Sequence, residues 1–464
     1  MPACTIYTVK FKPKEKSMNR LILLISSLLL SFPLAAQSLT EKTSQNTAQN
    51  TSQSTTENKA QSAVQNETST KTWNLYGFVR SDFFAQNRNT RTAVLDLFPL
   101  YPLPEYLNGV GEDLNNTPSA GLSSITTRMG LKFKSAGILG AKTHTSVIET
   151  DFGGSSDYIL VRIRKAYSQL YWEKSSLIVG QTWHPLFIEH LMPNVVSLNT
   201  GAPFQAFNRS PQIRYNYRGE YFNLTGAAIY QLMYASSGPK GKSIQYQKDA
   251  VIPNFFTGAE LNNGKLIAGI GADYKAIRPE KTRMDASSVE GINKSLLNTY
   301  SGTAYLMYSH NKLMLMSKTL FGQNLSDHSI IGGYVIDDKH NYLALNSLAS
   351  FAQVQYGQLH QLGLFGGYSA ILGSTKSTEA ANYDFYGFGA ELLPSNNQFQ
   401  YIKDMFRVML TYTYNPQNWR LGLELEYNAA NWGSLNKNSS NQFKISSEDY
   451  TAAYRLHAIV MYLF

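Results

Sequence analysis

The chain has 464 residues, a formal net charge of +9, 16% charged and 12% aromatic residues, 30 Tyr, 33 Gly and a single Cys. Mean hydropathy is −0.26, and after residues 21–30 no apolar run approaches the roughly 20 residues a membrane helix needs, which excludes a helical membrane protein. Low charge, many aromatics and abundant Gly together fit a membrane β-barrel: Tyr and Phe at the two interfaces, Gly in twisted strands, and hydropathy kept low by alternation.

The N-terminus reads as a targeting segment. Lys10, Lys12, Lys14, Lys16 and Arg20 precede the apolar run 21–30, and the small residues Ala35 and Ala36 follow. That order is a secretory signal peptide, expected over residues 1–37 with cleavage after Gln37. Its removal takes five Lys/Arg and Glu15, lowering the formal charge from +9 to +5. Such a modest charge on an exported chain argues against a nucleic-acid binder. The one cysteine, Cys4, falls in the removed part, so the mature chain is expected to hold no disulfide, thiolate nucleophile or Cys-ligated metal. Residues 38–71 are a low-complexity tract of Ser, Thr, Gln, Asn and Ala without apolar period. The tract cannot bury enough apolar area to offset chain entropy, and is expected to be a disordered periplasmic leader.

From residue 72 to 464 period-two alternation recurs, the mark of strands with one face in lipid and one in water. Ile213, Tyr215 and Tyr217 alternate with Arg214, Asn216 and Arg218. Leu266, Ala268, Ile270, Ala272 and Tyr274 oppose Asp273 and Lys275. Phe406, Val408, Leu410, Tyr412 and Tyr414 oppose Lys403, Arg407, Thr411 and Thr413. Trp419, Leu421, Leu423, Leu425 and Tyr427 oppose Arg420, Glu424 and Glu426. Short turns (near 135–137, 218–220, 262–264, 310–312, 357–358 and 415–418) alternate with long connections near 87–120, 185–209, 236–253, 278–298, 324–344, 372–398 and 432–446. This pattern predicts an all-β fold: a transmembrane antiparallel barrel of about 16 strands, with short periplasmic turns and long extracellular loops. The C-terminus sets Tyr454, Leu456, Ala458, Val460, Tyr462 and the final Phe464 on one face, a signal read by the outer-membrane assembly machinery. The expected place is the outer membrane of a Gram-negative cell.

Residues 121–184 carry a more specific likeness. Arg162-Ile163-Arg164-Lys165-Ala166-Tyr167 followed by Gly180-Gln181-Thr182-Trp183, the acidic strand end Ile148-Glu149-Thr150-Asp151 with its glycines, and Arg128-Met129-Gly130-Leu131-Lys132 resemble the DcaP-type porins. The rest resembles general trimeric porins of Gram-negative outer membranes. The resemblance implies a sixteen-stranded homotrimeric channel for passive diffusion of small hydrophilic solutes, with no cofactor. It departs at the leader, which lacks the heptads of a helical extension.

A sixteen-stranded barrel has an aqueous lumen. In general porins the loop after the fifth strand folds inward, and here that loop is 184–209, with His184, Glu189 and His190 as its polar residues near the start. Either a constriction or a trimer-contact lid would explain its apolar character. Arg80, Arg128, Arg162, Arg164, Arg214 and Arg218 fall in the lumen phase of the first six strands. Guanidinium groups grip carboxylates with two parallel bonds, so the cluster predicts anion preference, for solutes such as carboxylates. The alternative is that they pair with Glu149, Asp151 or Asp82. The phase is imperfect in the fourth strand: with Arg162 and Arg164 inward, Lys165 faces lipid unless a bulge intervenes. In the third strand either Val147 or Ile148 faces lipid. Trp73, Tyr171, Trp172, Tyr217, Tyr221, Tyr414 and Trp419 read as an interfacial girdle. His144 and Ser146 have the spacing of a barrel phospholipase, but no catalytic residue is assigned, and no metal-ligand spacing occurs apart from loop carboxylates (Glu112-Asp113, Asp337-Asp338) suited weakly to Ca²⁺. The alternative function is a binding or adhesion barrel acting through its extracellular loops.

Overall fold

The computed structural model describes residues 71–154, 160–284, 290–395 and 397–464. The expected signal peptide 1–37 and the 38–71 leader, Lys71 apart, lie outside the described residues. Sixteen strands form the barrel wall. They are β1 (Thr72–Gln86), β2 (Ser119–Ser123 continuing as Arg128–Ala136), β3 (Thr143–Asp151), β4 (Arg162–Tyr171), β5 (Ser175–Trp183), β6 (Arg209–Arg218), β7 (Phe222–Ile229) and β8 (Asn254–Asn262). There follow β9 (Leu266–Ile277), β10 (Leu297–His310), β11 (Leu313–Gln323), β12 (Tyr342–Gly357), β13 (His360–Ser374), β14 (Gln398–Tyr414), β15 (Trp419–Gly433) and β16 (Asp449–Leu463). Each pairs antiparallel with the next.

Closure comes from β1 on β16, in register from Phe78↔Leu463 to Gln86↔Arg455. No open edge remains, which in hydrocarbon would leave unpaired N–H and C=O groups. The seam ends on the last residue: Gly77 and Phe464 exchange both backbone hydrogen bonds at 3.1 Å. A Cβ at Gly77 would stand 2.2 Å from the Arg128 carbonyl oxygen, so only glycine lets β1, β2 and the C-terminus meet there.

Alternation places the side chains as the strands require. Val79, Ile148, Ile163, Val179, Ile213, Ile270, Leu364, Leu410, Leu425 and Val460 are exposed on the outer face, the surface a bilayer covers. Trp73, Tyr221 and Trp419 are exposed as well, whereas Tyr171, Trp172 and Tyr217 border an inner cavity. In β3, Ile148 faces out and Val147 is buried inside. In β4 the ladder with β3 slips by one residue: Glu149 faces Lys165 while Thr150 faces Ile163. The extra residue, Arg164, bulges, so Arg164 and Lys165 both turn inward, and no lysine is left in lipid.

The long connections build structure of their own over one rim. They carry hairpins at Thr90–Ala93 with Phe98–Pro102, and at Leu435–Lys437 with Phe443–Ile445, and a sheet of Gly332–Asp337 on Tyr383–Phe388. The largest apolar core lies inside the barrel. Phe98, Leu100 and Tyr101 from the first loop and Phe187, Leu191, Val195, Ala202, Phe204 and Phe207 from the 184–208 loop pack on Met316, Leu345, Phe351, Phe365, Met405, Met409 and Trp432 of β11–β15. Each large apolar side chain so enclosed contributes roughly 1.5–3 kcal/mol.

Candidate functional site

The 184–208 loop crosses the lumen and is tied to the far wall by charged strand residues. Lys318 Nζ donates to the Leu186 and Phe187 carbonyls at 2.5 and 3.0 Å. Gln353 accepts from Asn194 N and donates to Asn194 O, at 2.9 and 3.0 Å. The Glu424 carboxylate accepts from Val196 N and Ser197 N at 2.7 and 3.2 Å. Arg407 donates to Ala202 O at 2.9 Å and to Leu100 O at 2.5 Å, binding two loops at once. A charge taken out of water needs such partners or it destabilises the fold by several kcal/mol.

Two cavities lie within the lumen beside the loop. The larger, of about 830 Å³, lies toward the long loops; the smaller, of about 530 Å³, lies toward the short turns. Trp183 and Glu189 border both. Arg80, Arg128, Arg162 and Arg164 border the larger, and Arg214 and Arg218 the smaller. These six arginines are therefore split along the axis rather than gathered in one ring. Further cations at the larger cavity are Arg91, Lys165, Lys242 and Arg420, against three carboxylates, Glu149, Glu189 and Asp327.

Most of these cations hold an acid. Arg162 grips Asp151 with two parallel bonds, Nε to Oδ1 at 2.9 Å and Nη2 to Oδ2 at 2.8 Å. Arg164 bridges Glu149 at 2.9 Å and Asp151 at 2.7 Å. Arg128 stands 3.8 Å from the same Glu149 and over the Phe78 ring. Arg80 binds the buried Asp82, which also accepts from Thr126 Oγ1 at 2.5 Å and lies 2.9 Å from His457 Nε2. Arg91 pairs with Glu391, and Lys165 with Glu189 at 2.5 Å. The bulge in β4 is what turns Lys165 toward Glu189. Neither Arg420 nor Lys242 has a carboxylate partner among the described residues: Arg420 donates to Asn194 Oδ1, and the Lys242 ammonium lies 5.7 Å from the Phe388 ring centre.

The loop tip is held from both sides. Glu189 meets Lys165, and His190 Nε2 lies 2.8 Å from Glu260. Between these anchors and Lys318, Ile188 adopts φ 51°, ψ 78°. A β-branched residue in the left-handed region is strained by about 1–3 kcal/mol, which the surrounding bonds must hold.

His184 lies in the wall of the smaller cavity. It is 1% exposed, and its Nδ1 accepts from Leu186 N at 3.2 Å, capping the turn that opens the loop. Its Nε2 faces Asp273 at 3.6 Å, and its ring meets the His328 ring at 4.7 Å. Burial, then the neighbouring His328, holds the His184 imidazole well below its ordinary value; burial pushes His328 down to about 4. Both rings are neutral at pH 7. The sequence places His184 at the loop's start but carries no signal that His328, 144 residues on, would meet it.

Ser146 Oγ lies 2.9 Å from His144 Nε2 on the barrel's outer face, but His144 Nδ1 faces Ser135 Oγ at 3.1 Å. A serine there cannot stabilise an imidazolium as a carboxylate does. Among the described residues no three His, Cys, Asp or Glu are placed to hold a metal. Asp113 is engaged with Arg88 inside its own loop, and Asp337 with Thr378 of the loop after β13.

Solved structures of outer-membrane proteins share this fold. The outer membrane channel DcaP of Acinetobacter baumannii matches with a TM-score of 0.60 at 16% identity, over 85% of this chain and 97% of that one. The anion-selective porin of Comamonas acidovorans matches at 0.50 and 11% identity, over 85% and all of that chain. A trimer form of OmpT, an outer membrane protein of Vibrio cholerae, matches at 0.50 and 12%, over 85% and 99%. No family model matches the chain, and no curated protein matches it in sequence. The chain thus has the porin fold, a closed sixteen-stranded barrel that fits the outer membrane.

Proposed function

We propose that the protein is an outer-membrane porin, a water-filled channel for passive diffusion of small hydrophilic solutes with preference for anions such as carboxylates. The observation that carries this reading is the pair of cavities meeting at Trp183 and Glu189, the larger bordered by eight cations and three carboxylates. An excess of fixed positive charge raises the local concentration of anions in a narrow aqueous passage. Arg80, Arg128, Arg162, Arg164, Arg214 and Arg218 are the arginines of that path, and the 184–208 loop, with Glu189 and His190 at its tip, is its constriction. Two likenesses are consistent with it: one matching structure is an anion-selective porin and another an outer membrane channel.

A homotrimer is part of the proposal. Ser135, His144, Ser146 and Ser168 form a hydrogen-bonded polar strip on the outside of β2–β4. Lipid covers such groups poorly, and a second copy of the chain covers them better. Insertion would proceed through the assembly machinery that reads the β16 end at Phe464.

The apolar filling against β11–β15 favours one second reading, a barrel with a blocked lumen that acts through its loops. Planar-bilayer conductance of refolded protein with the reversal potential in a salt gradient separates the two. Stepwise current with an anion-directed potential supports the porin. A folded, heat-modifiable barrel without current moves the function to the loops.

A further inference from the structure

We infer that anion selection rests on Lys242 and Arg420, which pair with no carboxylate among the described residues, rather than on the arginine ladder of β1–β4. This rests on the anion-preferring porin reading and assigns it to residues.

A guanidinium facing its carboxylate at hydrogen-bond distance is a near-neutral dipole, and its field falls off faster with distance than that of a lone charge. Its N–H groups are also committed. Arg162 directs Nε and Nη2 to Asp151, and Arg164 directs Nε and Nη1 to Glu149 and Asp151. Replacing these bonds by bonds to a passing anion would leave two carboxylates unpaired, which is a net loss. Arg128 is intermediate, because it shares Glu149 at 3.8 Å.

Lys242 and Arg420 stand apart. The Lys242 residue is exposed, and among the described residues its ammonium faces the Phe388 ring and forms no ion pair. Among the described residues Arg420 bonds the Asn194 side chain through Nη2 and no carboxylate. The two come from different parts of the fold, Lys242 from the loop between β7 and β8 and Arg420 from β15, yet both border the larger cavity. Neither belongs to the ladder on β1–β4. An anion in that cavity can take up their N–H donors without breaking an ion pair, so selection costs it less dehydration there than anywhere along the ladder.

The test compares reversal potentials in a chloride gradient for three proteins in planar bilayers. They are the wild type, Lys242→Gln/Arg420→Gln, and Arg91→Gln/Glu391→Gln, which removes an ion pair bordering the same cavity at constant net charge. Each lost free charge is expected to lower the anion-to-cation permeability ratio roughly threefold, so the first variant falls about tenfold. The pair variant is expected to stay close to wild type. A Lys242→Gln/Arg420→Gln protein that keeps the wild-type ratio, or an equal fall in both variants, overturns the inference while an anion-selective wild type leaves the porin reading standing. A wild type without current overturns the porin reading itself. If the double variant does not refold, Lys242→Gln alone, on an exposed loop, is expected to show the threefold fall, and an unchanged ratio in it overturns the inference equally.

Discussion

The inner wall from β11 to β15 and the inner wall from β1 to β6 meet the same loop in different ways. Against β11–β15 the loop packs an apolar core around Phe204, Phe351, Phe365 and Trp432, and the buried charges there, Lys318, Arg407 and Glu424, bond loop backbone. Against β1–β6 the charges mostly bond one another, as in Arg162–Asp151 and Arg164–Glu149, though Arg80 also donates to Val196 O at 2.6 Å, and water-sized space remains beside them. The difference is one of dielectric surroundings. Where the loop excludes water, a charge is tolerated only beside a backbone group or an opposite charge, as Glu426 is beside Arg407 at 3.4 Å. Where water remains, cations can outnumber carboxylates, because the solvent screens the excess. The loop fills one side of the lumen, and the larger cavity lies on the other.

The largest test of this contrast is to remove the filling. Replacing 186–206 by a short Gly-Ser linker should raise single-channel conductance several-fold and weaken ion selectivity, with the barrel still heat-modifiable on gels. Unchanged conductance would mean that the loop does not occupy the path. Phe204→Ala empties the middle of the core, where Phe204 faces Phe365 and carries Arg407 over its ring. It should cost about 3–5 kcal/mol of loop packing, read as new protease cleavage within 184–208 and noisier current.

Acid should loosen the same loop at its base. His184 and His328 are held neutral among Asp273, Lys275, Lys318, Asp327 and Arg214. Their folded values lie below the ordinary imidazole value of about 6.5. Above that pH both forms of the loop are neutral and no penalty arises. As pH falls from about 6.5 through about 4, the value of His328, protons favour the released loop and the anchorage weakens. Current fluctuations should increase between pH 7 and pH 4 in wild type, and less in His184→Asn/His328→Asn. Equal pH dependence in the two would remove the histidines from the account. The smallest effect is expected from Glu189→Gln. It deletes the one acid bordering both cavities and frees Lys165, so anion preference should rise by about two- to threefold; a fall would contradict it.

Strand phase was the most legible part of the sequence, because a two-residue period fixes which face each side chain takes. Leu421, Leu423 and Leu425 against Glu424 and Glu426 could be placed without coordinates. The same period hid the filled half. Met405 and Met409 fall in the inward phase with Arg407 and Thr411, and reading that strand as polar inside passes over them. Apolar residues at inward positions were the signal of a loop packed within. The β4 bulge was legible as an inconsistency, Lys165 in the lipid phase, and the structure resolves it with one extra residue. Of the charged site, Arg420 lay in the inward phase of a clean strand. Lys242 lies in a loop without period, and nothing local marks it as facing the cavity.

The most direct test of a one-sided passage uses cysteines. The chain's only cysteine, Cys4, lies in the expected signal peptide, so introduced thiols report alone. Thr225→Cys borders the smaller cavity, and Ser369→Cys, a near-isosteric change on β13, lies fully buried behind the loop. A charged, membrane-impermeant thiol reagent added during bilayer recording should reduce current through Thr225→Cys and leave Ser369→Cys unchanged. Block of Ser369→Cys at a rate equal to or faster than Thr225→Cys would contradict the account, because it would place water and solute on the side the loop is said to fill.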